Sequence, residues 1–479
     1  MGFLDAFSNL IGAKETENGA FAYDSTNSAI VDLFGAIGGM RNRSEKDIVT
    51  KYLLARNEDK ELADKIILYA RDIRGGLGER RIGRILLKTL ATIDPIKVKR
   101  NLPLFVDYGR FDDLYALEGT PVEPDMWKYM KRVFFEDFKN MREGKPITLA
   151  AKWIKSINTS SKESRRLAKK FCNYCNLSEK KYRKMLSELR FWLDVVEKKM
   201  SANDWEYINF ENVPSLAMKK YKNCFYEHSR DRMNEYINNV SNGTAKINAS
   251  TLYPYDILYD FMCKDNSDDA AKVLNAQWNA MPDYFTGSED VICCADVSGS
   301  MLGRPMAASV GLAMYCAKHN KGAYKGYYLT FTDTPRFFKF DDNMPLEYNI
   351  DKVIQNIGFN TNLDGMLLAI FNMALETNDS PKALLIVSDC EIDDFVRKNP
   401  TDTIVAKWKE MFESKGLKMP KIIFWNVSAL HDTYLEHTNT DDVCFISGCS
   451  ATTFKNLDDI INCSQYELMH KILDKYEYK

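Results

Sequence analysis

The spacing of apolar residues changes at about Gly287. From residue 44 to about residue 280, apolar positions recur every three or four residues, as at Ile48, Tyr52 and Leu53, which is the pattern of amphipathic helices. After Gly287, short β-rich apolar runs alternate with helical segments, which is the pattern of strands joined by crossover helices. The chain is therefore expected to contain two different architectures in series.

The first architecture is predicted to be a stack of helices. Its pattern is interrupted by glycine, proline and asparagine at residues 75–76, 94–95, 118–121, 144–146, 214 and 242–243. These breaks leave helices of about 10 to 20 residues between short turns. Such lengths fit a HEAT-like α-solenoid of paired helices better than a compact bundle, although no repeat of fixed period accompanies them.

The second architecture is predicted to be a doubly wound, Rossmann-like parallel sheet. Strands are predicted at residues 291–295, 326–331, 383–387, 421–427 and 443–446. Residues 336–340 follow a strand and a Thr-Pro turn, so we expect them to add an antiparallel edge strand. The predicted division is an N-terminal segment with an amphipathic helix (residues 1–40), a helical-repeat domain (41–285) and the sheet domain (286–479).

Composition predicts a cytoplasmic or virion-associated protein without a membrane-spanning segment. The 479 residues are 45% hydrophobic but contain no apolar run long enough to cross a bilayer. Phe3, Phe7 and Ile11 recur at helical spacing and are interpreted as a helix docked on the body, with a membrane anchor as the alternative. The 11 cysteines, an odd number that includes the adjacent Cys293 and Cys294, suit free thiols in a reducing compartment.

Oxygen donors gather where predicted strands end. Asp296 follows the first apolar run, Ser298 and Ser300 complete an Asp-x-Ser-x-Ser sequence, Thr361 precedes a predicted helix, and Asp389 follows the third run. In a doubly wound sheet, ligands collect at the carboxyl ends of strands, and hydroxyl and carboxylate oxygens suit a hard cation such as Mg²⁺. The sequence therefore predicts a site for Mg²⁺, or for Mn²⁺ or Ca²⁺, at Asp296, Ser298, Ser300, Thr361 and Asp389.

These residues resemble the metal-ion-dependent adhesion site (MIDAS) of von Willebrand factor A domains. The resemblance implies that Ser298 and Ser300 coordinate the metal directly, Thr361 directly or through water, and Asp296 and Asp389 largely through water. Hydroxyl ligands leave net positive charge on the metal, which would accept an acidic residue of a protein partner. The alternative is that Asp-x-Ser-x-Ser is a turn or a helix N-cap.

A helical region followed by such a domain resembles the Ro autoantigen (TROVE) family, in which a ring of helical repeats is closed by a von Willebrand factor A domain. Other stretches resemble more closely a related family known as a domain of unknown function. They are Arg-Asp-Ile-Arg-Gly-Gly-Leu-Gly-Glu-Arg at residues 71–80 and shorter motifs at 150–153, 195–202, 213–218 and 446–450. The Ro resemblance implies a scaffold that binds noncoding or misfolded RNA, and closure of a ring within one chain suggests a monomer.

Positive charge is concentrated in the middle of the helical region. Residues 152–232 carry about 19 basic against 10 acidic side chains, interleaved with rings such as Trp153 and Tyr182. Cations suit phosphates, and rings suit the splayed bases of single-stranded RNA. The alternative is that Phe191 and Trp192 belong to the core and that the lysines line a solvated helix face. The candidate RNA-binding residues are Lys152, Lys155, Arg165, Arg166, Lys169, Lys170, Lys180, Lys181, Arg183 and Lys184.

A second basic cluster surrounds the Gly-Gly turn and consists of Arg71, Arg74, Arg80, Arg81 and Arg84. Glycines there would let backbone amides approach a phosphate, but no Gly-Lys-Ser/Thr follows, so the turn is not a P-loop. The alternative is a tight turn between helices whose arginines pair with Asp72 and Glu79.

Motifs for catalysis are missing from the sequence, including hydrolytic triads, His-Glu-x-x-His and nucleotide fingerprints. We therefore expect a non-enzymatic protein. The predicted function is an RNA-binding scaffold of the ribonucleoprotein type with a metal site in its C-terminal domain. The alternative is a metal-dependent protein–protein adaptor that binds no nucleic acid.

Overall fold

The computed structural model describes residues 13–15, 21–264, 266–287, 290–331, 335–358, 362–391, 403–434 and 442–479. The predicted N-terminal amphipathic helix around Phe3 lies outside these residues, and so does Thr361 of the predicted metal site. Within the described ranges, no helix has the length and apolarity required to span a bilayer.

The first part of the chain is helical, as predicted. Its α-helices are α1 (Ala29–Ala36), α2 (Glu45–Glu58), α3 (Lys60–Arg71), α4 (Arg80–Ile93), α5 (Pro95–Arg100), α6 (Leu102–Tyr108), α7 (Glu123–Arg142), α8 (Ala150–Trp153), α9 (Lys162–Tyr174), α10 (Glu179–Trp192), α11 (Val196–Ser201), α12 (Ser215–Ser241), α13 (Pro254–Cys263) and α14 (Asp268–Asn279). Side chains of Ser44, Asp59 and Asp94 accept backbone N–H groups at the starts of α2, α3 and α5. The predicted breaks all fall between these helices or at their ends.

A short antiparallel hairpin precedes α1. It pairs β1 (Ala13–Glu15) with β2 (Phe21–Tyr23), and Tyr23 exchanges backbone hydrogen bonds of 2.8 and 3.0 Å with Tyr434. The sequence analysis did not predict this hairpin, because three-residue strands are too short to show an alternating pattern.

The second part of the chain forms a six-stranded mixed sheet. Its strands are β3 (Val291–Asp296), β4 (Tyr327–Phe331), β5 (Arg336–Lys339), β6 (Ala383–Ser388), β7 (Lys421–Asn426) and β8 (Val443–Ser447). They lie in the order β5-β4-β3-β6-β7-β8, and neighbours are parallel except for the antiparallel pair of β4 and β5. The five predicted strands and the antiparallel edge strand are therefore confirmed.

Helices cover both faces of this sheet. They are α15 (Arg304–His319), α16 (Leu346–Ile354), α17 (Leu363–Thr377), α18 (Ile404–Glu413), α19 (Leu457–Asn462) and α20 (Gln465–Leu473). Successive strand residues point to opposite faces, so Cys293 belongs to the core that contains α15, whereas Cys294 belongs to the core that contains α17 and α18. Every residue of β3 is buried for this reason.

The strand order places a topological switch at β3. The chain runs from β3 to β4 on one side and later returns to β6 on the other side. In open α/β sheets, the crevice beyond the carboxyl ends of two such strands is where ligands bind. Asp296 ends β3 and Ser388 ends β6, so both side chains lie at this crevice.

The helical part and the sheet domain contact each other at several places, including α13 against α15 and both ends of the described chain. Near the start of the chain, the Gly38 amide donates to the Ser447 hydroxyl at 2.9 Å. At the end of the chain, the Tyr476 hydroxyl donates to Asp72 at 2.9 Å, and the backbone N–H of residue 479 donates to the Asn101 side chain at 2.7 Å. The C-terminal tail therefore returns to the first helices.

Candidate metal centre and candidate nucleic-acid interface

Four of the five predicted metal ligands meet at the switch crevice. Asp296 is fully buried; the Ser388 hydroxyl donates to its Oδ2 at 2.5 Å, and the Ser298 backbone N–H donates to its Oδ1 at 2.9 Å. The hydroxyl oxygens of Ser298 and Ser300 lie 3.2 Å apart, and the Ser300 hydroxyl donates to Asp389. The pairing of β3 with β6 therefore brings together donors that are about ninety residues apart in sequence.

The two carboxylates of the crevice are held in an unfavourable electrostatic environment. Burial, together with the neighbouring Asp389, raises the pKa of Asp296 to about 7. Burial also raises the pKa of Asp389, which is 6% exposed. A divalent cation would offset the cost of burying these charges and would lower both pKa values.

The donor set fits a hard cation. It offers two carboxylates and two hydroxyls, all oxygen, and Ser300 is exposed so that water could complete the coordination sphere. In the part of the chain that the structure describes, no group of three or more His, Cys, Asp or Glu side chains could hold a metal ion. The site therefore depends on serine hydroxyls, and sulfur- or imidazole-binding metals do not suit it.

Ser388 is the residue of this site that the sequence analysis missed. It lies in register beside Asp296, since Val387 pairs with Ala295 across the two parallel strands. Only the register of β3 against β6 shows that its hydroxyl reaches the Asp296 carboxylate. The sequence shows a serine directly before Asp389, but a single serine at the end of a strand does not form a motif that predicts a role in the site.

A cavity of about 1240 Å³ lies on the helical part. Its wall combines side chains from α3, α4, α8, α10, α11, α12 and α13 with the segments between helices. Only Glu197 and Asp256 contribute carboxylates to the described wall, so positive charge dominates it. The basic residues of the wall are Arg71, Arg80, Arg110, Lys152, Arg183, Arg190, Lys198 and Lys220.

Aromatic rings share this wall with the cations. The Arg110 guanidinium lies 3.9 Å from the centre of the Trp153 ring, and Tyr253 and Tyr255 stack with their centres 5.7 Å apart. Tyr221 adds another ring beside Lys220, whose Nζ donates to the Tyr221 hydroxyl at 3.1 Å. A wall with both cations and ring faces has the chemistry that single-stranded nucleic acid requires.

The basic side chains of the cavity differ in the number of hydrogen bonds and ion pairs that they already form within the protein. Arg190 donates to the carbonyls of Ala151 and Ile154 and to the Ser156 hydroxyl, at 2.9, 2.8 and 2.7 Å, so its role in the wall is structural. Among the described residues, Arg183 has no carboxylate partner. Arg183 is therefore available to a ligand.

The ten predicted RNA-binding residues are divided between the cavity and the outer surface. Lys152 and Arg183 line the cavity. Lys155 lies near the Tyr115 ring, at 5.2 Å, and burial lowers its pKa. Arg165, Lys180 and Lys181 are exposed outside the cavity. The remaining four form ion pairs on the outer surface and are Arg166, Lys169, Lys170 and Lys184.

Most arginines of the second basic cluster have structural roles. Arg71 and Arg84 bind Asp113 at 2.7 and 2.6 Å, and Arg80 binds Asp112 at 3.0 Å. Arg74 donates to the carbonyl of residue 107, and Arg81 donates to those of residues 41 and 43. The expected pairing with Asp72 and Glu79 is wrong, because Asp72 accepts the Tyr476 hydroxyl and Glu79 pairs with Arg41.

Comparisons with known proteins divide the chain where the fold does. Residues 132–287 match a family described as Domain of unknown function (DUF2828), and residues 290–470 match Domain of unknown function (DUF7788). An uncharacterized protein of Acanthamoeba polyphaga mimivirus is 26% identical over 511 aligned positions, covering 96% of this chain and 87% of that relative. The crystal structure of the Deinococcus radiodurans RO (RSR) protein aligns with 95% of this chain and 100% of its own, at 11% identity and a TM-score of 0.38.

Proposed function

We propose that this protein is a non-enzymatic RNA-binding scaffold whose basic cavity holds a single-stranded segment of a noncoding or structured RNA. The observation that carries the proposal is the excess of basic side chains in the cavity wall. Arg71, Arg80 and Arg110 pair with Asp112 or Asp113, which leaves Lys152, Arg183, Lys198 and Lys220 against Glu197 and Asp256. The chain as a whole has a net charge of −2, so this excess is local. A local positive field of this kind attracts a polyanion.

The size and chemistry of the cavity favour RNA with unpaired bases. The cavity of about 1240 Å³ is larger than the usual range for small-molecule sites, and its wall is formed by side chains from many helices. Single strands present both phosphates and base faces, which match the Arg183 and Lys220 cations and the Trp153 and Tyr221 rings. The resemblance of the sequence to the Ro family implies the same ligand class.

The finer assignments belong to the same proposal. The helices would form a HEAT-like solenoid, the sheet would be a von Willebrand factor A domain, and the protein would be a cytoplasmic monomer. The tail contacts of Tyr476 with Asp72 support closure within one chain, and the 11 free cysteines support a reducing compartment.

The crevice at Asp296 would hold Mg²⁺ or a similar cation that supplies an open coordination position to an acidic partner. Asp296 and Asp389 would be oriented by Ser388 and by backbone amides, and Ser298 and Ser300 would present hydroxyl oxygens. No catalytic step is assigned to these serines, because their hydroxyls are proposed to act as metal ligands.

Binding of a labelled single-stranded RNA, followed by fluorescence anisotropy, tests the proposal. The double variant Arg183→Glu/Lys220→Glu is expected to weaken binding by roughly 10-fold or more, because two attractive phosphate contacts become repulsive. The control is Lys88→Glu/Lys128→Glu, which makes the same change in net charge at exposed positions outside the cavity. Equal affinities of the two variants would contradict RNA binding in the cavity.

A metal-dependent adaptor is the second candidate, and the exposure of Leu302 favours it. Leu302, two residues after Ser300, is 67% exposed, so an apolar contact is available near the proposed metal site. A protein partner bound in this way would be released by EDTA and retained at high salt, whereas RNA in the cavity would show the opposite sensitivity. A pull-down washed separately with EDTA and with salt distinguishes them.

A further inference from the structure

Two adjacent aromatic side chains at the end of α10 are exposed. Phe191 is 68% exposed and Trp192 is 46% exposed, whereas Tyr182 on the same helix is completely buried. Folding normally removes such rings from water, and exposed aromatic surface marks a binding site more often than an isolated leucine does. The interpretation of Phe191 and Trp192 as core residues is therefore wrong.

The two rings line a groove that adjoins the basic cavity. The groove has a volume of about 370 Å³ and is lined by Met141, Ser187, Glu188, Phe191, Trp192 and Lys198. Ser187 and Lys198 also line the large cavity. A chain that leaves the cavity past these two residues therefore arrives directly at the exposed rings.

Lys198 gives this junction a cation. Its Nζ lies 4.3 Å from the centre of the Phe191 ring and donates to the Ser187 carbonyl at 3.4 Å. Lys180, Lys184, Ser187 and Phe191 follow one another along the exposed side of α10, because residues three or four apart share a helix face. The groove thus combines two ring faces with the Lys198 cation and one carboxylate, Glu188, which pairs with Lys184 on the adjoining helix face.

We propose that Phe191 and Trp192 form a stacking platform for unpaired bases of single-stranded RNA where the strand leaves the cavity. This inference rests on the proposed function and deepens it. A purely apolar peptide would use the rings but not Lys198, whereas a strand of RNA uses both, with bases on the rings and a phosphate near Lys198. The shared Ser187 and Lys198 make the platform continuous with the cavity.

The test compares oligoadenylates of increasing length. In the native protein, affinity rises with length until the strand reaches the platform. In Phe191→Ala/Trp192→Ala that last increase is expected to be absent, so long oligonucleotides bind about 10-fold more weakly while the shortest ones bind as in the native protein. Phe191→Tyr/Trp192→Tyr is expected to restore the increase, because stacking needs a ring face and no particular ring.

Matched controls separate this inference from the proposed function. Tyr207→Ala/Phe337→Ala removes two other exposed rings, 74% and 45% exposed, and is expected to leave every length unaffected. If Phe191→Ala/Trp192→Ala binds all lengths like the native protein while Arg183→Glu/Lys220→Glu weakens them all, the platform is refuted and the scaffold stands. If neither variant weakens binding, the proposed function fails and the platform with it.

Discussion

The last residue of β6, Ser388, donates a 2.5 Å hydrogen bond to Oδ2 of Asp296, the last residue of β3. The backbone N–H of Ser298 donates to the other oxygen of the same carboxylate at 2.9 Å. Both oxygens of Asp296 are thus oriented by the fold. In metal sites, partners that orient a ligand typically change affinity by about 10- to 100-fold, so Ser388 is expected to matter even though it is not a proposed ligand.

Replacing Asp296 by asparagine is expected to abolish binding of Mg²⁺ or Mn²⁺, because the central carboxylate is lost while the shape of the side chain is kept. Ser388→Ala is expected to weaken binding by about 10-fold, because the carboxylate loses a donor that orients it. Isothermal titration calorimetry measures both effects. Asp459→Asn, at an ion pair with Lys471, is the control, and an unchanged titration of Asp296→Asn would refute the site.

Metal affinity is expected to depend on pH. Burial and Asp389 raise the pKa of Asp296 to about 7, so the folded protein takes up a proton there as the pH falls. Protons then compete with the cation, and Mn²⁺ binding is expected to weaken by up to about 10-fold per unit below about pH 7. For the metal-free protein the raised pKa contributes stability that is present at low pH and is lost as the pH rises through about 7.

Two series of measurements check this expectation. Calorimetric Mn²⁺ titrations at several pH values give the dependence of affinity, and thermal unfolding in EDTA gives the dependence of stability. In the metal-free protein, Asp296→Asn should reduce the loss of stability with rising pH, because its amide does not titrate, whereas Asp389 still does. Metal affinity of the native protein that is constant from about pH 6 to about pH 8 would contradict the assigned ligand.

The crevice that contains the proposed metal ligands was predictable from sequence, because its geometry follows from topology. Asp296 and Asp389 each follow a buried apolar run, and parallel strands bring their carboxyl ends to one edge. Ser388 could not be assigned in the same way. Its contact with Asp296 depends on the register between β3 and β6, which the hydrophobic pattern of two fully buried strands does not specify.

The basic cavity was only partly predictable, because its wall draws on residues that are far apart in sequence. Arg71, Lys152 and Lys220 come from different helices and meet only in the folded chain. The local excess of basic residues after residue 152 instead predicted RNA binding by residues such as Arg166. In the folded chain, the charge of Arg166 is balanced by Glu118 and Glu163. The spacing of apolar residues in the sequence also could not show that Phe191 and Trp192, at the end of α10, are exposed.

Removal of the Tyr476 hydroxyl is expected to destabilise the folded protein. Tyr476 is completely buried, and its hydroxyl donates to Asp72 at 2.9 Å across the contact between the C-terminal tail and the helical part. Tyr476→Phe leaves a buried carboxylate oxygen without this donor, which is expected to cost about 1 to 3 kcal/mol of unfolding free energy. Urea unfolding at neutral pH measures the difference. Tyr466→Phe, at a side chain that is 49% exposed, should change it little, and equal effects of the two variants would contradict the role given to the tail.

The Arg183→Glu variant is expected to show whether RNA binds in the cavity or on the outer face of α10. Arg183 lines the cavity and has no carboxylate partner among the described residues. The variant is therefore expected to weaken binding of a short single-stranded RNA by about 10-fold. The slope of log affinity against log salt concentration should become shallower by about 0.7 for each phosphate that the variant no longer neutralises.

Reversal of three lysines on the outer face provides the comparison. Lys180→Glu/Lys181→Glu/Lys184→Glu changes more charge than Arg183→Glu, but none of these residues lines the cavity. An oligonucleotide short enough to lie within the cavity should therefore lose less affinity with the triple variant than with Arg183→Glu. Anisotropy titrations over a series of KCl concentrations measure both. A larger loss with the triple variant would place the RNA on the outer face of α10, since long-range repulsion alone is screened at physiological salt.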